Sequence, residues 1–167
     1  MPKPRPVECT VEPRQISLES VAYCMLPTYL RDRFKPAKPV FQLKTYFVAY
    51  WNGWRFECAP GIYTDGPSIP LGLAMIGFSR WDENNSLWIG SIIHDMLYRG
   101  LGSFGFSARR NRKLSDLLWR DAALSFGEPA VQAFPEYRAL RLAGWYKWNP
   151  TSTPNHNLFN VQRSIII

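Results

Sequence analysis

Between Leu87 and Tyr98 the chain carries Leu87, Trp88, Ile89, Ile92, Ile93, Met96 and Leu97, a run with almost no polar face, and in its middle stand His94 and Asp95. A helix of this composition is buried on nearly every side. Tyr98 follows one turn after His94, on the same side of such a helix. Burying an imidazole or a carboxylate costs on the order of several kcal/mol unless it is hydrogen-bonded or paired. The fold must therefore deliver partners to this pair, and the rest of the chain has to supply them.

The 167 residues, 46% of them hydrophobic, can bury the core of one domain, and 15% aromatic content with seven Trp argues against disorder. No run approaches the roughly 20 apolar residues of a membrane span, so no span is expected. The opening Met1-Pro2-Lys3-Pro4-Arg5-Pro6 is basic but leads into no apolar segment, unlike a secretory signal. Cys9, Cys24 and Cys58 are an odd set without CxxC spacing. They predict reduced thiols in a cytosol rather than a disulfide framework or a zinc knuckle. A net charge of +7 favours phosphate, an anionic envelope polymer or an acidic protein as partner, and also fits simple solubility.

Residues 1–40, broken by Pro2, Pro4, Pro6, Pro13, Pro27, Pro36 and Pro39, read as an arm packing along the domain. Residues 41–148 read as a single α+β domain, and 149–167 as an irregular tail ending in Ile165-Ile166-Ile167. Asn52-Gly53 is the preferred pair for a two-residue hairpin turn. Pairing across it sets Trp51 opposite Trp54, Ala49 opposite Phe56 and Phe47 opposite Cys58. Leu43 and Phe41 continue this apolar face, with Gln42, Lys44, Arg55 and Glu57 on the wet one. Cys58 is then a small core residue. A turn-rich loop, Gly61 to Pro70, a connector from Leu71 to Arg80 and a polar stretch from Asp82 to Ser86 lead to the greasy helix, which Gly100 and Gly102 end. A second helix runs from Ser107 to Phe126 with Gly127 as its stop. Pro129 opens a third, which Pro135 should kink or restart and which continues to about Trp148. The expected architecture is a hairpin or small antiparallel sheet followed by about three helices on its apolar face.

Thr64, Asp65, Ser68, His94, Asp95, Tyr98 and Asp116 are the candidates for chemistry. His94 and Tyr98 stack on one helix face, Asp95 points about a quarter turn away, and the loop from Thr64 can bring Asp65 and Ser68 to them. His94 can serve as a general base tuned by a carboxylate. Alternatively, Asp65, Asp95 and Asp116 with the imidazole can hold a divalent metal, Asp65, His94 and Asp95 forming the nearest ligand set. The plain structural alternative is a latch tying loop to helix, with Asp65 capping its own loop. Asp116, four residues from both Arg112 and Arg120, would then make solvent-side helix ion pairs.

The order Gly61-Ile62-Tyr63-Thr64-Asp65-Gly66-Pro67-Ser68-Ile69-Pro70, then Ile93-His94-Asp95-Met96-Leu97-Tyr98-Arg99, then Arg112 with Asp116, resembles domain-of-unknown-function family 1353 from about Phe41 to Trp145. The resemblance implies an origin in tailed phages or prophages, and no established activity. The Pro-rich arm and the Ile-rich tail depart from it. The spacing His94-Asp95-x-x-Tyr98 is also similar to the catalytic helix of secreted phospholipase A2. There the His activates water, the next Asp binds calcium and the Tyr orients a second Asp, for which Asp116 would stand. Leu97 replaces that family's half-cystine, and its disulfides and calcium loop are missing.

Arg109, Arg110, Arg112 and Lys113 cluster at the start of the second helix, where cations oppose the helix dipole. Arg138, Arg141, Trp145 and Trp148 lie near one stripe of the third. Such interleaving suits nucleic acid; the alternative is a solvated first turn, with Trp145 and Trp148 packed on the hairpin. Two function classes follow. One is a non-catalytic virion or tail component docking on other phage structural proteins through its arm and tail. The other is a small hydrolase, metal-assisted or not, acting on a cell-envelope or phosphoester substrate through His94 with Asp65, Asp95 and Asp116. The corresponding locations are the virion or the host cytoplasm, and no organic cofactor is implied.

Overall fold

Asn52 and Gly53 both take positive φ, 48° and 71°, as a two-residue hairpin turn with the right twist demands. They join β4 (Phe47–Trp51) to β5 (Trp54–Cys58) in the register expected, Trp51 opposite Trp54, Ala49 opposite Phe56 and Phe47 opposite Cys58. The computed structural model describes residues 7–12, 16–31, 39–66, 87–149 and 157–164. Within them both ends of the chain return to this hairpin. β1 (Cys9–Glu12) pairs with β4 and β7 (Phe159–Arg163) with β5, giving an antiparallel sheet in the order β1-β4-β5-β7. A second antiparallel sheet, in the order β2-β3-β6, comprises β2 (Leu18–Val21), β3 (Val40–Leu43) and β6 (Tyr63–Thr64).

Two expectations are corrected. Leu43 and Phe41 do not continue the hairpin strand, because the chain changes sheets after Leu43. The Leu43 N–H donates to the Ile62 carbonyl, and its own carbonyl accepts from Gly61 N–H, so the chain leaving β5 captures β3. Leu43 still reaches the main core, whereas Phe41 pairs with Thr64 and sets its ring edge-on to Trp88 at 4.8 Å. The segment 149–167 is not wholly irregular either. β7 fills the open edge of β5 and lays Phe159 and Val161 over Gly102, where a Cβ would stand 2.7 Å from both side chains. Ile165-Ile166-Ile167 and the opening prolines lie outside the described residues.

The helices among the described residues are a 3-10 turn, Tyr23–Met25, a single α-turn, α1 (Thr28–Arg31), then α2 (Leu87–Tyr98), α3 (Ala108–Ser125) and α4 (Ala130–Ala143), the last prolonged by a second 3-10 turn, Gly144–Lys147. The fold is α+β. Gly100, at φ 71°, ends α2: its N–H donates to the Leu97 carbonyl and that of Leu101 to Met96, the paired bonds of a glycine-terminated helix. Gly127 does the same for α3, with Glu128 bonding back to Ala123. Pro135 falls inside α4, which runs on to Ala143 as one helix. Ser107 takes the N-cap position of α3 without a capping bond from its side chain.

Ile92, Ile93, Met96 and Leu97 of α2 and Leu118 of α3 meet Phe47, Ala49, Phe56 and Cys58 of the sheet in one core. Phe104 plugs its rim edge-on to Trp54 and Phe56. α2 and α3 cross closely at Gly90, where a Cβ would lie 2.9 Å from Ala122 Cβ. α4 covers the far side of α3 through Ala133, packed with Trp119 and Ala123. If β7 is integral to the domain, Phe159→Ala, which empties a fully buried ring site, should cost about 3–5 kcal/mol in urea unfolding. An unchanged midpoint would show the strand to be a detachable appendage.

Candidate functional site

The greasy helix is as buried as its composition requires: among its residues only Asp95 retains appreciable exposure. His94 and Tyr98 stack one turn apart with ring centroids at 4.1 Å and planes at 29°. Both turn toward α3. His94 Nε2 lies 3.0 Å from Asp116 Oδ1, and the Tyr98 hydroxyl donates to the same oxygen at 2.5 Å. Asp116 Oδ2 accepts from Arg141 Nη1 of α4 at 2.6 Å, with Arg112 Nε at 4.0 Å. Arg112 Nη2 in turn donates to the Arg141 carbonyl at 2.7 Å. Asp116 is 0% exposed and His94 7%.

Of the two helix pairs its spacing allows, Asp116 keeps the one with Arg112, at 4.0 Å, but on a buried rather than a solvent-side face, and it makes none with Arg120 among the described residues. It faces inward, and Arg120 bonds Asp121 instead, which also accepts from Trp51 Nε1 at 2.9 Å. Burial would push the Asp116 carboxyl up. The hydrogen bonds from His94, Tyr98 and Arg141, with the charge of His94, outweigh it and hold the group below the ordinary range. The Tyr98 phenol is driven up by burial and by the Asp116 charge, so it stays a donor. Gly144 lets the end of α4 close on this ring: a Cβ there would lie 2.5 Å from the Tyr98 hydroxyl. Trp148 meets the ring edge-on at 5.0 Å, and Asn149 N–H donates to the Tyr98 carbonyl.

Asp95 serves a second network on another side of α2. Its Oδ2 accepts from Thr64 Oγ1 at 2.6 Å, and Thr64, 0% exposed, accepts from Gly66 N–H. Arg99 Nη2 stands 3.6 Å from the same carboxylate, while Arg99 Nη1 donates to the Tyr63 carbonyl. Burial raises the Asp95 pKa, Arg99 opposes it, and the nearby Asp65 charge adds to it. The turn-rich loop thus meets the helix through Thr64, with Asp65 as an electrostatic neighbour. Ser68 lies outside the described residues. His94 and Asp95, adjacent in sequence, face different partners. Among the described residues no three His, Cys, Asp or Glu side chains converge as a metal site would require.

Sequence reasoning missed two residues here. Arg141 closes the Asp116 network from α4, a contact that only helix packing reveals. Glu136, 1% exposed, has both carboxylate oxygens without a hydrogen-bond partner. Its signal was available: it shares a helix face with Ala133 and Leu140, both of which pack on α3. Burial, then the Glu128 charge, pushes its pKa up to about 7. No family model, curated protein or solved structure matches this chain.

Truncating Asp116 to Ala strands a half-buried guanidinium, a phenol and an imidazole, and should cost about 3–5 kcal/mol of unfolding free energy; a loss under about 1 kcal/mol would mean the network is incidental. Asp116 and Glu136 act oppositely with pH. Asp116, held below its unfolded value of 3.8, contributes stability above that value that is lost as pH falls through its lower folded pKa. Glu136 binds its proton more tightly when folded, so its contribution is complete below 4.5 and is lost as pH rises toward about 7. Glu136→Gln should remove on the order of 1–2 kcal/mol of that alkaline loss in unfolding measured at pH 5 and pH 8, leaving the part due to the other raised carboxyls, Asp95 and Glu128. Equal pH dependence in both proteins would contradict the placement of Glu136.

Proposed function

We propose that this protein is a non-catalytic accessory component of a phage particle, in which the His/Asp network is a structural latch and the chain's outer segments dock on other structural proteins. One observation carries the latch: Asp116 has no exposed surface and spends both oxygens on donors from α2 and α4. A carboxylate held in this way by side chains from both neighbouring helices acts as a fastener between them. The docking role is supported by the four-stranded sheet, whose edge strands β1 and β7 are the first and last strands among the described residues. Edge strands offer backbone groups for added strands. The phage context rests on the three ordered motifs that resemble family 1353.

One observation favours a hydrolase as second reading. With His94 Nε2 held by Asp116, His94 Nδ1 has no hydrogen-bond partner among the described residues, as in a base oriented by a carboxylate. Complementation separates the two. In a phage lacking the gene, a His94→Gln protein that folds and accumulates normally should restore plaques and be found in purified particles. Loss of plaques with that folded variant present in particles would contradict the latch and favour catalysis.

A further inference from the structure

At the end of the molecule away from the α3–α4 turn, the start of α3 and the end of α4 enclose an open groove of about 400 Å³ lined by Ser107, Arg109, Arg110, Lys113 and Arg141. Four of the five lining side chains are cations and none is an acid. Arg109, Arg110 and Lys113 form no salt bridge among the described residues, and the first turn of α3 has no acidic residue. This placement works against folding. A helix start carries partial positive charge, so each cation there is destabilising, whereas Asp or Glu would help. Two of the four are held in position: Arg110 lies over the Phe106 ring at 3.9 Å, and Arg141 is anchored from behind by Asp116. The Ser107 hydroxyl, free of a capping role, adds a neutral donor to the same lining.

One turn beyond Arg141, the 3-10 turn presents Trp145 and Tyr146 to solvent, 68% and 66% exposed, with their rings edge-to-face at 6.4 Å. Trp148, nearby in the same segment, turns inward to Tyr98 instead. The chain therefore sets a concave trough lined by four cations and a serine about one helical turn before two large exposed rings.

We infer that this trough and the Trp145–Tyr146 pair bind single-stranded nucleic acid, the cations tracking backbone phosphates and the rings stacking on bases. Cationic grooves with adjoining aromatic platforms are how strands are held without sequence readout. The shape favours a strand over an anionic bilayer, since a headgroup plane cannot enter a concave trough, whereas a flexible phosphodiester chain can follow it. The inference does not depend on the latch or on the particle role.

Fluorescence anisotropy with a labelled 15-mer of thymidine tests it on the full-length protein. Binding should weaken with salt at a log–log slope of about −2, the value for roughly three released counterions on a single strand. The triple variant Arg109→Glu, Arg110→Glu, Lys113→Glu should lose binding while its thermal midpoint holds or rises, because acids suit a helix start. That rise separates lost binding from lost fold. Trp145→Ala with Tyr146→Ala should weaken binding about 10-fold with the slope unchanged. Three results would overturn the inference: no binding by the wild type, undiminished binding by the triple variant, or an aromatic double variant that binds as well as wild type. Wild-type protein that sediments with phosphatidylglycerol vesicles yet ignores the oligonucleotide would assign the patch to a membrane surface instead.

Discussion

The Asp116 carboxylate is the point on which the helical layer turns. It stands on α3, takes a hydroxyl and an imidazole from α2 and a guanidinium from α4, and has no exposed surface. Apolar burial supplies the drive to pack these helices, but surfaces such as Gly90 against Ala122 or Ala133 against Trp119 and Ala123 are small and smooth, and set register weakly. Directed bonds to one buried charge set it firmly, because a slipped helix would leave that charge unpaired at a cost of several kcal/mol, roughly. A buried ion pair adds little net stability over a well-packed apolar substitute. Here its contribution is specificity: one arrangement of three helices satisfies it.

The same helix is fastened on another side by a different chemistry. Asp95 holds Thr64, and Arg99 bonds the Tyr63 carbonyl, so α2 is tied to β6 of the smaller sheet as well as to α3 and α4. Two neighbouring ionisable residues in an oily helix thus serve as two separate fasteners. The fastener at His94 is sealed and closes on Asp116, whose carboxyl its donors hold below the ordinary range. The other, with its pKa raised by burial and by the Asp65 charge, is the softer of the two.

What the sequence revealed and what it hid divide along range of interaction. The hairpin register was legible because Asn52-Gly53 fixes the turn and period-two alternation fixes the faces. The burial of α2, its inward His94 and Tyr98, and the glycine stops at Gly100 and Gly127 were legible for similar local reasons. The partners were not. Asp116 carries the i,i+4 arginines of an exposed helix face, and nothing local signals that Arg112 is outcompeted for it by Arg141, 25 residues away. β7 is a five-residue edge strand whose reason to exist is the open side of β5. The break after Leu43 depends likewise on Gly61 and Ile62 returning from β5. Glu136 was overlooked because a carboxylate in a helix reads as solvated unless its face is traced against Ala133 and Leu140.

The basic trough shows the opposite balance. Arg109, Arg110 and Lys113 lie where helix electrostatics disfavours them and form no salt bridge among the described residues, so this corner of the fold gives up stability that the Asp116 network does not. Whether that network is one cooperative unit is best read from a double-mutant cycle on His94→Gln and Asp116→Asn in equilibrium unfolding. A shared latch predicts a coupling of about 1.5–3 kcal/mol between the two changes. Additivity within about 0.5 kcal/mol would mean that imidazole and carboxylate are merely neighbours, and that the helices owe their arrangement to apolar packing alone.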